Sequence, residues 1–402
     1  MGIKGLSSFL RKKFPNVFEQ VHISEYALQK IAIDTSLYMY IFGAKYNNPD
    51  RPNHKGWLNG FLRMFSTLRE YDIHVLLAYD TKAPIEKKRE QERRRSSREK
   101  SKDRMWDVQE AIDLYHETGE VSDLLLDFQK KRKISTSLLQ KNQINIKAIE
   151  YSLNRTKKNL TYDIKPEDYV LSRELFDILS IPYLLSPSEG ETLCSDLCIQ
   201  GKVSTVLTED TDCLVYGTPE LLTKYDHNTG ICVRIRFDTL LAELGFTHLQ
   251  FIDFAIMCGC DYNDNIPKVG PVKAYDLIKR FGSIEEVGKQ GYDISILNHV
   301  KSRSLFTDYV RYTDKVPYVG TPDFDRLESF LSKYELSTDT LDVVKRAFQR
   351  RIVIELEEPY QDGEKPESSV EKRLDEQWEE EKEENVEDLE EKRPNEDEEI
   401  LD

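Results

Sequence analysis

Residues 203–217 read V-S-T-V-L-T-E-D-T-D-C-L-V-Y-G, a β-branched apolar run that ends in Glu209, Asp210 and Asp212. Close carboxylates repel, and each is costly to desolvate. Positive charge is needed to repay them. Asp210 and Asp212 are spaced i, i+2, which on an extended segment points both to one side, a geometry for two oxygens on one cation. Other acids stand at the edges of apolar stretches: Asp34, Asp80, Glu189 and Glu191 in S-P-S-E-G-E-T-L-C, and Asp261 in C-G-C-D-Y. For Glu189 and Glu191 a plain alternative exists. Ser188-x-x-Glu191 matches a capping box, and acids are favoured in a helix's first turn. Asp261 follows an apolar helical stretch, where an acid opposes the helix dipole, so capping does not account for it. Such an all-oxygen set suits Mg²⁺ or Mn²⁺. Two such ions can clamp the attacking and leaving oxygens of a phosphodiester. No Ser-His-Asp or Cys-His arrangement competes, and the seven histidines are scattered.

The elements that must position these acids follow from apolar spacing. Residues 30–34 and 73–80 read as strands, each ending in Asp, and residues 57–70 between them have helical spacing at Leu58, Phe61, Leu62, Phe65 and Leu68. Further on, residues 166–179 read as a helix, 181–185 as a strand, 188–201 as a helix and 203–208 as a strand, with more strands at 221–224 and 232–237. Strands alternating with helices predict an α/β fold with a mostly parallel sheet covered on both faces. In such sheets the carboxyl ends of the strands form the ligand crevice, where acids from distant positions can meet.

The expected organisation divides the core. Residues 1–80 form its N-terminal part and 166–250 its internal part. Between them, residues 81–165 are highly charged and read as long helices, with apolar spacing at Met105, Val108, Ile112 and Tyr115. Residues 251–285 read as two helices joined by I-P-K-V-G-P. Residues 286–358 read as mainly helical, and 359–402 as a disordered acidic tail.

The net charge of −16 is concentrated in that tail, since residues 361–402 hold 20 Asp/Glu against 6 Lys/Arg. Residues 81–105 hold 11 Lys/Arg against 5 Asp/Glu, a basic patch compatible with a nucleic-acid partner. The six cysteines lack the paired spacing of a zinc site and are expected as buried thiols in a reducing, intracellular compartment. No apolar run reaches the roughly 18 residues of a membrane span, and the N-terminus has no secretory h-region.

Five segments, M-G-I-K-G-L at the start, I-A-I-D-T-S-L-Y-M-Y at 31–40, P-S-E-G-E-T at 187–192, T-E-D-T-D-C-L at 208–214 and G-C-D-Y-N-D-N-I-P-K-V-G-P at 259–271, occur in one order. Together they make the chain resemble the XPG/flap endonuclease family of structure-specific 5′ nucleases over roughly residues 1–350. The resemblance implies a twisted PIN-like 5′-nuclease core, a helical arch at 81–165 and a helix–two-turn–helix that grips duplex DNA. It implies a metal-dependent endonuclease with two Mg²⁺ ions, for which Mn²⁺ can substitute, held by Asp34, Asp80, Glu189, Glu191, Asp210, Asp212 and Asp261. Glu209 is outside that set.

By the same resemblance Lys87 and Arg94 act on the scissile phosphate. Tyr40 stacks on a base near the cut, with core packing as its alternative. Gly2, expected as the N-terminus once Met1 is removed, lies close to the active site, which argues against the myristoylation pattern that Gly2 and Ser7 loosely match. Gly270, Lys268 and Lys273 face duplex phosphates. A K⁺ ion belongs at that loop in the family, but here Lys268 stands where Gly is usual, and its direct contact with phosphate is the alternative. The implied partner is flapped or branched DNA, cut by a monomer at a nuclear or replication site. No sliding-clamp motif is visible. A junction resolvase, a 5′ exonuclease and a catalytically inactive DNA-binding scaffold remain as alternatives.

Overall fold

The computed structural model describes residues 2–46, 55–134, 144–337 and 339–349; the expected tail at 359–402 lies outside them. Strands β1 (Glu19–His22), β2 (Lys30–Asp34), β3 (His74–Tyr79), β4 (Tyr183–Leu185), β5 (Thr205–Leu207), β6 (Glu220–Thr223) and β7 (Ile231–Arg236) form one sheet. Its order is β1-β7-β6-β5-β2-β3-β4. Neighbours from β6 to β4 are parallel, while β7 and β1 are added antiparallel at one edge. Strand β1 was not foreseen. In E-Q-V-H only Val21 is buried, so no alternating pattern marks it. Its place is fixed across the strand pair, where Arg234 donates to both Glu19 carboxylate oxygens at 3.0 and 2.8 Å.

The helices are, in chain order, α1 (Leu6–Lys13), α2 (Thr35–Tyr46) and α3 (Leu58–Glu70), then α4 (Lys88–Thr118), α5 (Asp123–Lys131) and α6 (Ile146–Thr161). After them come α7 (Pro166–Ile178), α8 (Gly190–Ile199), α9 (Asp212–Val215), α10 (Phe237–Leu244), α11 (His248–Cys258) and α12 (Pro271–Phe281). The last are α13 (Ile284–Gly288), α14 (His299–Thr307), α15 (Phe324–Lys333) and α16 (Asp339–Gln349).

Strand β2 shows why the sheet has two covered faces. Ala32 belongs to one apolar cluster, with α1, α8, α11 and α14, while Ile31 and Ile33 belong to another, with α2, α3, α7, α15 and α16. All three are fully buried, as the central strand of a parallel sheet requires. Helices α4 to α6 hold a third cluster of their own, with Met105, Val108 and Ile112 facing Leu125, Phe128, Ile149 and Leu153. The antiparallel run of α4 beside α6 is tied by Lys157 to Gln109 at 2.6 Å and His116 to Glu150 at 2.6 Å.

After residue 286 the described residues hold the helices α14, α15 and α16, with one long irregular stretch between α14 and α15. Residues 308–323, which include Pro317, Gly320 and Pro322, carry no helix; proline removes the backbone donor a helix needs. This segment is instead a strap across the amino ends of the strands. Lys202 donates to Tyr312 O at 2.6 Å and Lys30 to Val316 O at 2.8 Å. Val319 N–H donates to His74 Nδ1 at 3.2 Å, and Gly320 N–H to Ser180 O at 2.8 Å. The six cysteines are free and buried. Among the described residues no single helix is long and apolar enough to cross a membrane.

Candidate active site

Strands β5, β2 and β3 are adjacent and parallel, so their carboxyl ends share one edge of the sheet. Asp34 ends β2, Asp80 follows β3, and Asp210 and Asp212 follow β5. Asp34 Oδ1 accepts the Leu37 N–H at 3.1 Å, at the start of α2. Asp80 is the exposed member, and its Oδ1 accepts the Gly190 N–H at 2.6 Å. That bond ties β3 to the amino end of α8, where an acid also favours the helix dipole.

The segment after β5 differs from expectation. Asp210 and Asp212 do not project from one extended strand. Asp212 begins α9, and its N–H donates to Asp210 Oδ1 at 3.0 Å, so a tight turn brings the pair together. Glu209 points elsewhere, accepting Thr223 Oγ1 at 2.7 Å and the Lys224 N–H at 2.5 Å. The capping box at Ser188 does not form. The helix begins at Gly190 with Glu189 as its capping residue, and no side chain caps it. Glu189 instead accepts from Lys87 and, at 2.7 Å, from Tyr262.

Glu191, Asp210 and Asp212 each offer an oxygen within 4.8 Å of the others. Both oxygens of Asp212 are buried without a hydrogen-bond donor. An ionised carboxylate without partners in such a place is strongly unfavourable. Burial and the neighbouring acid charges push Asp212 and Glu191 well above the usual carboxylate range. Burial first, then the charge of Asp80, raises Asp34 to about 8. Burial also raises Asp210, against the Asp212 N–H that it accepts. The set thus lacks positive charge, and its hard oxygen donors fit divalent cations such as Mg²⁺.

Two cations from the base of the helical insertion partly fill that need. Lys87 ends a short 3₁₀ turn, Ile85–Lys87. It pairs with Glu189 and lies 3.3 Å from both Glu191 Oε1 and Asp261 Oδ2. Burial pulls its ammonium down, but Glu191, Glu189 and Asp261 outweigh it and hold the charge in place. From the first turns of α4, Arg94 reaches Asp261 Oδ1 at 2.5 Å and Glu90 at 3.1 Å. Glu90, which spacing did not single out, is buried and also accepts two bonds from Arg93 at 2.7 and 2.6 Å.

The chain's start closes another side. Gly2 has φ +85°, and a side chain there would collide with Asp210 Oδ1 and Thr211 Oγ1. Glycine is the residue that permits this close approach. Ile3 N–H donates to Thr211 Oγ1 at 3.1 Å, and Lys4 N–H to Gly259 O at 2.9 Å. Tyr40 is 38% exposed on α2, with the Arg98 guanidinium 5.9 Å from its ring centre, so it is not a core residue.

Lys268 and Gly270 lie on the α11–α12 connection, which also carries Asp261, and Lys273 lies in the first turn of α12. Lys268 is exposed with φ +64°, Gly270 caps α12, and Lys273 is exposed above the Tyr292 ring at 5.1 Å. An exposed ion pair, Arg89 to Asp264 at 2.6 Å, links this connection to the base of α4.

Comparison with known proteins agrees with this geometry. The XPG N-terminal domain matches residues 1–102 and the XPG I-region residues 180–261. A probable RAD2-like endonuclease, 076L, of Invertebrate iridescent virus 3 is 33% identical, over 82% of this chain and 91% of the viral one. A flap endonuclease 1-1 of Paramecium tetraurelia is 29% identical, over 82% and 83%. In fold, the catalytic core of Rad2, solved in complex with DNA substrate, superposes with a TM-score of 0.60 at 18% identity, over 85% of this chain and 99% of the other.

Proposed function

This chain belongs to the XPG/flap endonuclease family, a family of metal-dependent DNA endonucleases, and from that premise we propose that it is a structure-specific 5′ nuclease acting on flapped or related branched DNA. The observation that carries the reading is the pocket at the ends of β5, β2 and β3. There the two Asp212 oxygens are buried without donors beside Glu191 and Asp210.

Asp34, Asp80, Glu189, Glu191, Asp210, Asp212 and Asp261 would hold two Mg²⁺ ions, with Mn²⁺ as a substitute. When bound, such ions supply the Lewis acidity that activates water and takes up charge at a phosphodiester. The chain's own residues do the rest. Lys87 and Arg94 enter the pocket from the arch side and carry their charge on several N–H donors. These suit the non-bridging oxygens of a scissile phosphate, and they oppose the charge that develops there. Gly2 keeps the backbone of the N-terminal segment against the Asp210–Asp212 turn, which limits the pocket to one side. Tyr40 offers an exposed ring for stacking on a base near the cut.

Lys268, Gly270 and Lys273 would grip duplex phosphates from the protein surface. They add affinity without reading sequence. Selection then comes from the shape of bent or unpaired DNA. Products would carry a 5′-phosphate and a 3′-hydroxyl.

The test is cleavage of end-labelled substrates: a 5′ flap, a four-way junction, a nicked duplex and single-stranded RNA. Cutting at the flap base that is lost with EDTA and in Asp210→Ala supports the reading. Preference for the junction moves it to a resolvase, preference for the nicked duplex to a 5′ exonuclease, and preference for RNA removes DNA as the substrate. Tight flap binding without any cutting makes the protein a scaffold.

A further inference from the structure

A chain of buried hydroxyls runs behind Glu189. Tyr262 Oη donates to Glu189 Oε2 at 2.7 Å. The hydroxyl oxygens of Tyr262 and Tyr216 are 3.0 Å apart, and Thr192 Oγ1 donates to Tyr216 Oη at 2.9 Å. All three side chains are buried. Each hydroxyl has one proton to give, so the pattern has one consistent direction. Thr192 gives to Tyr216, Tyr216 to Tyr262 and Tyr262 to the carboxylate, which accepts only. Burial pushes both phenols well up, so they remain protonated donors.

The rings are held from outside the pocket. Phe306 on α14 packs against both, with centroids 5.2 Å from Tyr216 and 5.2 Å from Tyr262. Glu189 itself is not clamped by packing on this side. A cavity of about 200 Å³ borders it, lined also by Thr192, Tyr216, Tyr262 and Tyr309. The Tyr262 bond on one oxygen, together with the Lys87 contact on the other, therefore sets which way the carboxylate turns. With Oε2 held by Tyr262, Oε1 is the oxygen that meets the Lys87 ammonium, in a position a cation already favours.

We infer that Thr192, Tyr216 and Tyr262 form a positioning relay for the metal site: Tyr262 fixes the Glu189 carboxylate so that Oε1 faces the cation position, and Tyr216 and Thr192 fix Tyr262. The inference rests on the reading of Glu189 as a metal ligand. Partners that orient a ligand from behind typically matter by roughly 10–100-fold in metal affinity or activity.

The test measures Mn²⁺ binding to the full-length, DNA-free protein by electron paramagnetic resonance of the unbound ion. Flap cleavage is followed in parallel against Mg²⁺ concentration. Wild-type protein that neither binds Mn²⁺ nor cleaves overturns the proposed function and the relay with it. Given wild-type binding, Tyr262→Phe weakens Mn²⁺ affinity by roughly 10–100-fold. It raises the half-saturating Mg²⁺ concentration, while the rate at saturating metal largely recovers. Tyr216→Phe shifts both in the same direction by less. In a Glu189→Ala background, Tyr262→Phe adds nothing, because the group it orients is gone. Wild-type Mn²⁺ affinity in Tyr262→Phe overturns the relay alone, as does a Tyr262→Phe loss that adds in full to Glu189→Ala. If Tyr262→Phe fails to fold, Tyr216→Phe and Thr192→Val carry the same comparison.

Discussion

The ammonium of Lys87 stands 3.3 Å from Asp261 Oδ2. One residue comes from the base of the helical insertion and the other from the loop after α11, so the contact joins two parts of the molecule across the acidic pocket. It gives Lys87 two opposed roles. On the proposed reading, with DNA it would offer charge to a phosphate, while without DNA its charge sits among the acids that would attract a divalent ion.

Lys87→Ala is therefore expected to move activity and metal binding in opposite directions. Flap cleavage at saturating metal falls by about 100-fold or more. Mn²⁺ binding to the DNA-free protein tightens by about tenfold, since a like charge has left the pocket. Calorimetric titration and single-turnover cleavage on the same preparation check both. Metal binding that weakens together with cleavage would show Lys87 holding the acids in place instead of competing for them.

Asp212 supplies a prediction about stability. Its two oxygens are buried with no donor, among like charges. Asp212→Asn in EDTA should raise the melting temperature by about 2–4 °C, through relief of that repulsion. Added Mg²⁺ should stabilise the wild type and leave Asp212→Asn nearly unmoved, and cleavage by the variant should be lost. A variant that melts lower than wild type in EDTA would mean the carboxylate has a structural partner.

How legible this site was depends on the residue. Asp34 and Asp80 could be read because each ends a short apolar run, and strand ends in a parallel sheet converge. The pairing of Asp210 with Asp212 was legible but its geometry was not: a short polar side chain followed by a helix start favours a turn, and period-2 reasoning fails there. Glu189 was ambiguous because capping and metal binding call for the same residue type. The relay could not be read at all. Tyr262 is adjacent to Asp261 in sequence, but the target of its hydroxyl is set by α8, which the fold brings to it. Strand β1 and the strap at 308–323 were illegible for a similar reason, since their partners are distant in the sequence.

The strap carries a pH dependence at His74. Burial holds the imidazole below its ordinary value of about 6.5, helped by the charge of Arg69. The neutral ring accepts the Val319 N–H through Nδ1. The unfolded chain takes up a proton at higher pH than the folded one. Stability is thus fully present above about pH 6.5 and is lost as pH falls through the lower folded value. The ring is only half-buried, so the loss is discounted to well under about 1 kcal/mol. Urea midpoints between pH 8 and 5.5 should fall for wild type and fall less for His74→Gln. Equal slopes would remove His74 from the account.

Lys268 separates fold from binding. A lysine at φ +64° occupies the left-handed region that glycine enters without cost. Lys268→Gly should raise stability by roughly 0.5–1 kcal/mol on that ground. If its side chain also meets a duplex phosphate, the same change weakens DNA binding and lowers the slope of log K against log salt by about 1. The two effects have opposite signs and are read by different instruments, a denaturation curve and a salt titration of binding. A gain in stability with an unchanged salt slope would leave Lys268 as a turn residue only. A smaller slope would support a contact between the duplex phosphate backbone and the exposed Lys268, a grip that reads no sequence.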